Sequence, residues 1–272
     1  MGINRRDAEL LLWLHRQNHI SAPASVIELG AQQLSYDLLS APSVIDNLGR
    51  AFGATGPKPV FPALQPPLSD GIEEILDPNA PPAQLLWQWL GFQYAAIDID
   101  GGVNSIPLDL NFDEVPAAER NKYSLVTNYG TTEHVANQLN AFKVAHDLAA
   151  VGGLMIHHLP SQGNFNHGLL NYSPKFFWML ARSNEYNWVY FDYFCSDVSY
   201  PLPRNLVDAI SPFQPDVADR LASYRTSNTA IVVVLKKQAD TSYVPALDVP
   251  NNSRTDNKEL LSRYPTVLKP VA

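Results

Sequence analysis

Three apolar runs in this chain end at residues whose side chains or bare backbone can hold a ligand. The runs are SVIELG at 25–30, YAAIDID at 94–100 and YSLVTNYG at 123–130. Runs of this kind predict buried parallel strands, and the ligands of open α/β sheets bind outside the carboxyl ends of such strands. The acids and glycines at these ends are therefore placed where a binding site belongs.

A carboxylate at the end of the second run suits a ribose. The two oxygens of Asp98 can each accept a proton from one hydroxyl of a diol. Asp100 lies two residues further along, on the same side of the strand, and competes for this role. If neither residue binds a ligand, both are solvated acids at the end of a strand.

Titratable side chains follow the predicted strand ends on the same side of the sheet. They are Glu133, His134, His157, His158 and His167. An imidazole titrates near neutral pH, so His167, in the loop after the fifth strand, is our preferred general base, and Glu133 and His158 are further catalytic candidates. His134 opens a predicted helix, so we expect it to support the sheet end. The alternative for His167 is an ordinary hydrogen-bonding role in a surface loop.

The histidines at 157–167 also invite interpretation as a metal site, which we do not favour. Adjacent His157 and His158 on a strand point to opposite faces, so they do not readily share one ion. Cys195 is the single cysteine and has no histidine near it in sequence, so we interpret it as structural. The sequence therefore predicts no metal.

Composition places the chain among soluble globular proteins. Hydrophobic residues make up 46% and charged residues 17%, and the net charge of -8 disfavours a nucleic-acid backbone as partner. No apolar stretch reaches the roughly 18 residues that cross a bilayer, and the N-terminal run is too broken by charge for a signal peptide. We expect no nucleic-acid partner, no membrane partner and a cytoplasmic location.

The chain divides into three predicted parts. Residues 1–24 form an N-terminal helical cover, 25–237 an α/β domain, and 238–272 a polar C-terminal tail. The domain contains a proline-rich excursion at 53–82, which is interpreted as a cover over the site, a loop that binds a protein partner, or a surface insertion without a role. A second proline-bearing segment at 199–216 is a further candidate lid, and Phe165 and Tyr172 are candidates for an acceptor pocket.

Predicted strands alternate with predicted helices almost throughout the domain. The apolar patterns predict helices at 6–18, 43–52, 84–90, 132–149 and 175–184, and late strands GGLMIHHLP, NWVYFDYF and TAIVVVLKK after the three runs above. This alternation predicts a mostly parallel sheet with helices on both faces.

The order of these segments resembles the class I S-adenosylmethionine-dependent methyltransferases. It runs ELGA, IDID, PLDLN, LVTNYGTTEHV and, after a helix, GGLMIHHLP, over residues 25–237 without the excursion. The EHV and the glycine pair are the more specific matches, and ELGA alone is weak. The resemblance implies a Rossmann-like fold with a mostly parallel seven-stranded sheet, helices on both faces and the last strand antiparallel. The segment HGLLNYSPKFFWMLARSNEYNW resembles a poorly characterised branch of that superfamily.

The resemblance also implies that S-adenosylmethionine is the cofactor. Gly30 would be bare where a side chain would collide with it, and Glu28 would orient this loop or the cationic end of the methionine moiety. Asp98 would take the ribose hydroxyls, and Asp109 the adenine amino group. The implied cofactor-binding set is Glu28, Gly30, Gln32, Asp98, Ile99, Asp109, Leu110, Asn128, Tyr129 and Gly130.

The family usually places two further glycines after the first, and here those places hold Gln32 and approximately Leu34. A glutamine amide can hydrogen bond a carboxylate. The implied activity is methyl transfer to a small or medium-sized acceptor, at oxygen or nitrogen. The rival hypothesis is a non-catalytic protein with a degenerate cofactor site, whose excursion binds a partner. A nicotinamide dehydrogenase ranks low, because the GxGxxG motif is absent.

Overall fold

The structure is a computed structural model, which describes residues 2–66, 68–69, 74–75, 78–102, 104–164, 167–195 and 229–271. The predicted lid at 199–216, Phe165 and parts of the proline-rich excursion lie outside the described residues. No described helix has both the length and the apolar character that a membrane span requires.

The strands and helices follow the predicted alternation. The strands are β1 (Ala24–Leu29), β2 (Leu68–Ser69), β3 (Glu74–Ile75), β4 (Phe92–Ile97), β5 (Ser105–Ile106), β6 (Tyr123–Tyr129), β7 (Ala149–Gln162), β8 (Asn187–Cys195), β9 (Thr229–Lys236), β10 (Arg254–Thr255) and β11 (Lys269–Pro270). The helices are α1 (Arg5–Arg16), α2 (Tyr36–Leu39), α3 (Pro42–Phe52), α4 (Gln84–Trp89), α5 (Gln138–Leu148), α6 (Pro174–Ser183) and α7 (Lys258–Arg263).

The central sheet has seven strands in the order β5-β4-β1-β6-β7-β9-β8. Strands β5, β4, β1, β6 and β7 are parallel to one another. Strand β9 runs antiparallel to both of its neighbours, β7 and β8. The prediction of a mostly parallel seven-stranded sheet whose last strand is antiparallel is therefore confirmed.

Helices cover both faces of the sheet, and each face has its own apolar core. Side chains that alternate along β1, β6 and β7 pack on one side against α1, α3 and α4. The intervening side chains pack on the other side against α5 and α6. The same alternation sends His157 towards Phe142 and Phe177 of the second core. It turns His158 towards α1 instead, so the prediction of opposite faces is confirmed.

Helix α1 begins at a complete capping box. The side chain of Asn4 accepts hydrogen bonds from the amides of Arg6 and Asp7, and the Asp7 carboxylate accepts one from the amide of Asn4. The second Asp7 oxygen, Oδ1, lies 2.7 Å from Nδ1 of His158 on β7, and both side chains are buried. This pair ties the start of α1 to the middle of the sheet.

The helix predicted at 132–149 was wrong at its start. A 3₁₀ turn covers Thr132–His134, and α5 begins only at Gln138. The side chain of Gln138 donates to the carbonyls of Thr132 and Val135, and Asn137 caps the new helix by accepting from the amide of Asn140. These side-chain bonds satisfy backbone groups that a longer helix would have paired internally.

The C-terminal segment lies along α6. The guanidinium of Arg182 donates to the carbonyls of Leu247 and Val249, and Asn184 exchanges hydrogen bonds with the backbone of Val244. Lys237, at the end of β9, is buried, and its ammonium donates to Asn121 and to two backbone carbonyls.

Candidate functional site

Three strand ends meet at the carboxyl edge of the sheet. The amide of Gly30, after β1, donates to the carbonyl of Ile97 at the end of β4, at 2.7 Å. The hydroxyl of Thr131, after β6, donates to the carbonyl of Leu29. The amide of Gly130 donates to the carbonyl of His158 at 3.1 Å. The loops after β1, β4 and β6 therefore form one continuous rim.

Glu28 lies under this rim and is fully buried. Its carboxylate accepts hydrogen bonds from the Trp87 indole at 2.8 Å, the Tyr94 hydroxyl at 2.9 Å and the Gln32 amide at 2.9 Å. Burial raises the pKa of Glu28 to about 7, against the opposing effect of these three donors. Through the bond from the Gln32 amide, the carboxylate holds the loop after β1.

Gln32 also turns its amide group towards the protein. Its Nε2 donates to the carbonyl of Gly30 at 3.1 Å and to the Thr131 hydroxyl at 3.2 Å. The hydrogen bond from this amide to a ligand carboxylate stays a prediction. Its Oε1 is buried and has no hydrogen-bond partner among the described residues.

Two features require a glycine at position 30, the conformation of its backbone and the closeness of a neighbouring side chain. Its φ of +75° lies in the left-handed region, and a Cβ there would lie 2.6 Å from the Thr131 hydroxyl oxygen. The absence of a side chain at Gly30 therefore lets the loops after β1 and β6 approach each other, and its contact with a cofactor stays a prediction.

Asp98 is the first residue after β4 and is half-buried. Its Oδ2 accepts from the amide of Ala31 at 3.0 Å, and its Oδ1 accepts from the amide of Asp100 at 3.2 Å. The carboxylate is thus held at the rim with one backbone donor on each oxygen. Asp100 and Ile99 are both exposed, and 69% of the Ile99 side chain remains open to solvent.

Asp109 lies in the turn after β5 and is half-buried. Its Oδ1 accepts from the amide and the side chain of Asn111, while its own amide donates to Asp113. Leu110 beside it is buried in the core. Two residues further, Phe112 leaves 84% of its side chain exposed. Asp109 thus lies in a rigid turn that also presents an aromatic ring to solvent.

The residues at the end of β6 are buried. Asn128 bonds Thr132 through both ends of its amide and lies 3.2 Å from Nδ1 of His157. Tyr129 is 1% exposed on the α1 side of the sheet. Gly130, with a φ of +78°, is the turn itself. The side chains of Asn128 and Tyr129 are therefore inside the fold, and the part of this strand end at the surface is the loop that begins at Gly130.

His158 does not lie with the other catalytic candidates. It is buried against Asp7 of α1, and although burial opposes it, the Asp7 carboxylate raises the pKa of His158 above its ordinary value. The structure thus supports a role for His158 in holding α1.

Glu133 and His167 do come together. Glu133 is fully buried in the 3₁₀ turn, and its Oε1 lies 3.6 Å from Nε2 of His167. The Nε2 of His134 lies 3.9 Å from the same oxygen. The rings of His134 and His167 have centroids 5.5 Å apart. His134, predicted only to support the sheet end, therefore belongs to this cluster.

Sequence reasoning also missed Thr131 and the partners of Glu28. Thr131 joins the loops after β1 and β6, but one threonine in a TT pair carries no signal in a single sequence. Trp87 and Tyr94 were not among the predicted site residues, and both donate to the Glu28 carboxylate. A buried acid with aromatic donors on the neighbouring helix and strand is a pairing that requires the fold to be known.

Comparison with known proteins finds solved structures of low sequence identity. A SAM-dependent methyltransferase from Archaeoglobus fulgidus is 10% identical, with a TM-score of 0.42 over 85% of this chain and 94% of that chain. A loganic acid methyltransferase with SAH is 10% identical, with a TM-score of 0.42 over 86% and 92%. The [4+2]-cyclase SpnF is 9% identical, with a TM-score of 0.39 over 86% and 82%.

No protein-family model matches the sequence, and no curated protein matches it either. We therefore assign the fold from the order and direction of the strands in the sheet. Five parallel strands are followed by an antiparallel β9 that is inserted before the edge strand β8. With this strand order and helices on both faces, the chain has the class I methyltransferase fold.

Proposed function

We propose that this protein transfers a methyl group from S-adenosylmethionine to a small or medium-sized acceptor, at oxygen or nitrogen. One observation carries the proposal: the half-buried carboxylate of Asp98 is fixed at the rim by one backbone donor on each oxygen. A carboxylate offers about four lone-pair positions, so two remain for the two hydroxyls of a ribose. Asp98 thus fits the part of the cofactor that the sequence assigned to it.

Neighbouring residues suit the other parts of the cofactor. Ile99 is an exposed apolar side chain next to Asp98, and Asp109 has an oxygen, Oδ2, that receives no hydrogen bond from the described residues. These residues would contact the adenosine moiety. The unpartnered Oε1 of Gln32 is an acceptor that the ammonium group of the methionine moiety would satisfy. Gly130 and the loop that it starts would border the sulfonium.

The chemistry needs alignment more than it needs a strong base. A lone pair of an acceptor hydroxyl or neutral amine attacks the methyl carbon, and the carbon–sulfur bond breaks with its electrons staying on sulfur. The methylated oxygen or nitrogen then releases its proton to a base or to water. The bound cofactor supplies the activated methyl group. Glu133 and His167 are the two catalytic candidates that stay together at the rim. We place the acceptor beside them.

A second candidate function is a non-catalytic protein that binds a partner. One observation favours it: residues 53–57 and Pro59 of the proline-rich excursion line an open groove of about 550 Å³ with Pro23, Leu85, Trp89 and Gly91. Pro23 directly precedes β1 and Gly91 directly precedes β4, so the groove lies at the edge of the sheet opposite the rim. A partner held there would leave the cofactor site free.

Calorimetric titration with S-adenosylhomocysteine tests the proposed function. We expect the full chain to bind it, Asp98→Ala to weaken binding by roughly a hundredfold, and the matched control Asp100→Ala to stay within roughly threefold. A full chain that gives no heat at high protein concentration would favour the non-catalytic function. Equal effects of the two variants would remove Asp98 from the site.

A further inference from the structure

Glu133 is a buried carboxylate without a donor. It is 0% exposed, and neither Oε1 nor Oε2 has a hydrogen-bond partner among the described residues. Leaving such a group unpaired inside a protein costs several kcal/mol, so buried charges are normally paired or coordinate metals. We therefore looked beside the Glu133 carboxylate for groups that would pair with it or share a metal ion with it.

Two imidazoles face the same carboxylate. Nε2 of His167 lies 3.6 Å from Oε1 and has no hydrogen-bond partner among the described residues, and Nε2 of His134 lies 3.9 Å from that oxygen. One ligand atom from each of the three residues lies within 4.8 Å of the others. Two ligands of a tetrahedral zinc ion at about 2.1 Å are themselves about 3.4 Å apart. The three groups are thus near coordination spacing.

Backbone bonds hold the cluster together. The amides of Leu169 and Leu170 donate to the carbonyl of Glu133, at 2.8 Å and 3.2 Å, which fixes the loop of His167 to the turn of Glu133. Gly168 lies so close that a Cβ there would be 2.9 Å from Cγ of Glu133. On the other side, Asn128 and Tyr172 bond the hydroxyl of Thr132. The position of the carboxylate is therefore set from two directions.

We propose that Glu133, His134 and His167 bind one divalent transition-metal ion. Two imidazoles and one carboxylate are ligands that Zn²⁺, Mn²⁺ and Fe²⁺ accept, and three protein ligands leave at least one position open. The earlier prediction of no metal considered the histidines at 157–167, and rejected a shared ion at His157 and His158, but did not consider Glu133 or His134. His157 and His158 point apart, whereas the fold brings the loops of His134 and His167 together.

The open position gives the metal a role that rests on the proposed function. An acceptor hydroxyl or carboxylate bound there would be held at the rim, and the ion would lower the pKa of a bound hydroxyl. In this arrangement His167 is a ligand through Nε2. The competing arrangement is a metal-free pair, in which His167 acts as the base and Glu133 receives the proton of His167. The test below includes this arrangement as one of its outcomes.

The test is metal binding by the untagged full chain after treatment with a chelator. We expect one Zn²⁺ per chain by calorimetry, and binding at least roughly tenfold weaker in each of Glu133→Gln, His134→Asn and His167→Asn. The matched control is His19→Asn, which removes a histidine that precedes β1 at the opposite edge. It should bind Zn²⁺ as the unmodified chain does.

Two results would overturn the proposal. One is the absence of stoichiometric Zn²⁺ binding by the unmodified chain, which leaves the metal-free pair. The other is equal binding by the three variants and the control, which places the ion elsewhere. Because a variant can fail to fold, Co²⁺ is added to the unmodified chain as well. Ligand-field bands that one equivalent of Zn²⁺ removes would support the site, and the spectrum of the hydrated ion would contradict it.

The same variants separate this proposal from the proposed function. Glu133→Gln should lose Zn²⁺ yet still bind S-adenosylhomocysteine, because Asp98 and the loop after β1 are unchanged. A chain that binds Zn²⁺ but never S-adenosylhomocysteine would refute only the methyltransferase proposal. A chain that binds S-adenosylhomocysteine but no metal would refute only the metal site.

Discussion

Two buried glutamates near the same edge of the sheet differ in how their carboxylates are satisfied. Glu28 accepts hydrogen bonds from Trp87, Tyr94 and Gln32. Glu133 accepts none from the described residues and instead faces the imidazoles of His134 and His167. Both are fully buried. Burial alone therefore does not tell a structural acid from a ligand-binding one.

The difference lies in the kind of neighbour. Donors to Glu28 have fixed hydrogens that point at the carboxylate, so the group is complete without a ligand and its role is to shape the loop after β1. A neutral imidazole has one nitrogen with a lone pair and one N–H, and neither imidazole near Glu133 makes a hydrogen bond to its carboxylate, so a cation between the three groups would satisfy all of them. The hydrogen-bonded Glu28 supports the loop of a binding site. The cluster around Glu133 can itself bind a ligand.

The largest effect is expected from removing the satisfied carboxylate. Glu28→Ala leaves the Trp87 indole, the Tyr94 hydroxyl and the Gln32 amide without their acceptor, and we expect it to lower the free energy of unfolding by about 4 kcal/mol. Urea unfolding of the metal-free proteins measures this value. A loss below about 1 kcal/mol would mean that the three bonds contribute little.

Glu28 should also make stability depend on pH. Its pKa of about 7 in the folded protein exceeds the value of 4.5 expected without burial, so the fold holds the proton more tightly. The resulting contribution to stability is fully present below pH 4.5 and is lost as the pH rises through 7. Glu28→Gln lacks this titration.

The test of that titration is a difference between two proteins. The free energy of unfolding of the unmodified chain minus that of Glu28→Gln should fall by roughly 3 kcal/mol across this window. Urea unfolding at a series of pH values gives the difference, in which other titrating groups cancel. A constant difference would show that Glu28 titrates normally in the fold.

A smaller effect should separate backbone strain from close contact in the loop after β1. Gly30 and Gly53 both have positive φ, at +75° and +70°, but a Cβ at Gly53 meets nothing within 4 Å. Both Gly→Ala variants should lose about 1 kcal/mol for the backbone, and Gly30→Ala about a further 1–2 kcal/mol for the collision with Thr131. Thermal unfolding checks the pair. Equal losses would show that Thr131 moves aside freely.

The smallest loss of stability is expected at the unsatisfied carboxylate. Glu133→Gln removes no hydrogen bond among the described residues and relieves the cost of an unpaired buried carboxylate, so the free energy of unfolding of the metal-free protein should not fall by more than about 0.5 kcal/mol. The control for size and position is Glu28→Gln, measured at the same pH by the same urea unfolding. If Glu133→Gln were the more destabilising of the two, the contrast between the acids would be reversed.

The sequence was sufficient for the elements that depend on local pattern. The apolar runs predicted β1, β4 and β6, and the alternation of strands and helices predicted the parallel sheet. The placement of Asp98 directly after β4 follows from where its run ends. These features depend on neighbours in sequence, so one sequence contains them.

Contacts between side chains that are far apart in the chain could not be predicted from the sequence. Trp87 and Tyr94 lie 59 and 66 residues from Glu28, and nothing in the local pattern links them. The start of α5 depends on side chains of Asn137 and Gln138 that compete for backbone groups. For the same reason, nothing in the local pattern indicated that His134 approaches His167.

We propose that the rim after β1, β4 and β6 holds the adenosine moiety of the cofactor. A crystal structure of the full chain with S-adenosylhomocysteine is the test. We predict both ribose hydroxyls within hydrogen-bond distance of the Asp98 carboxylate, with the adenine next to Ile99 and Asp109. A ligand bound away from Asp98, or a rim closed by protein at saturating ligand, would contradict this cofactor site.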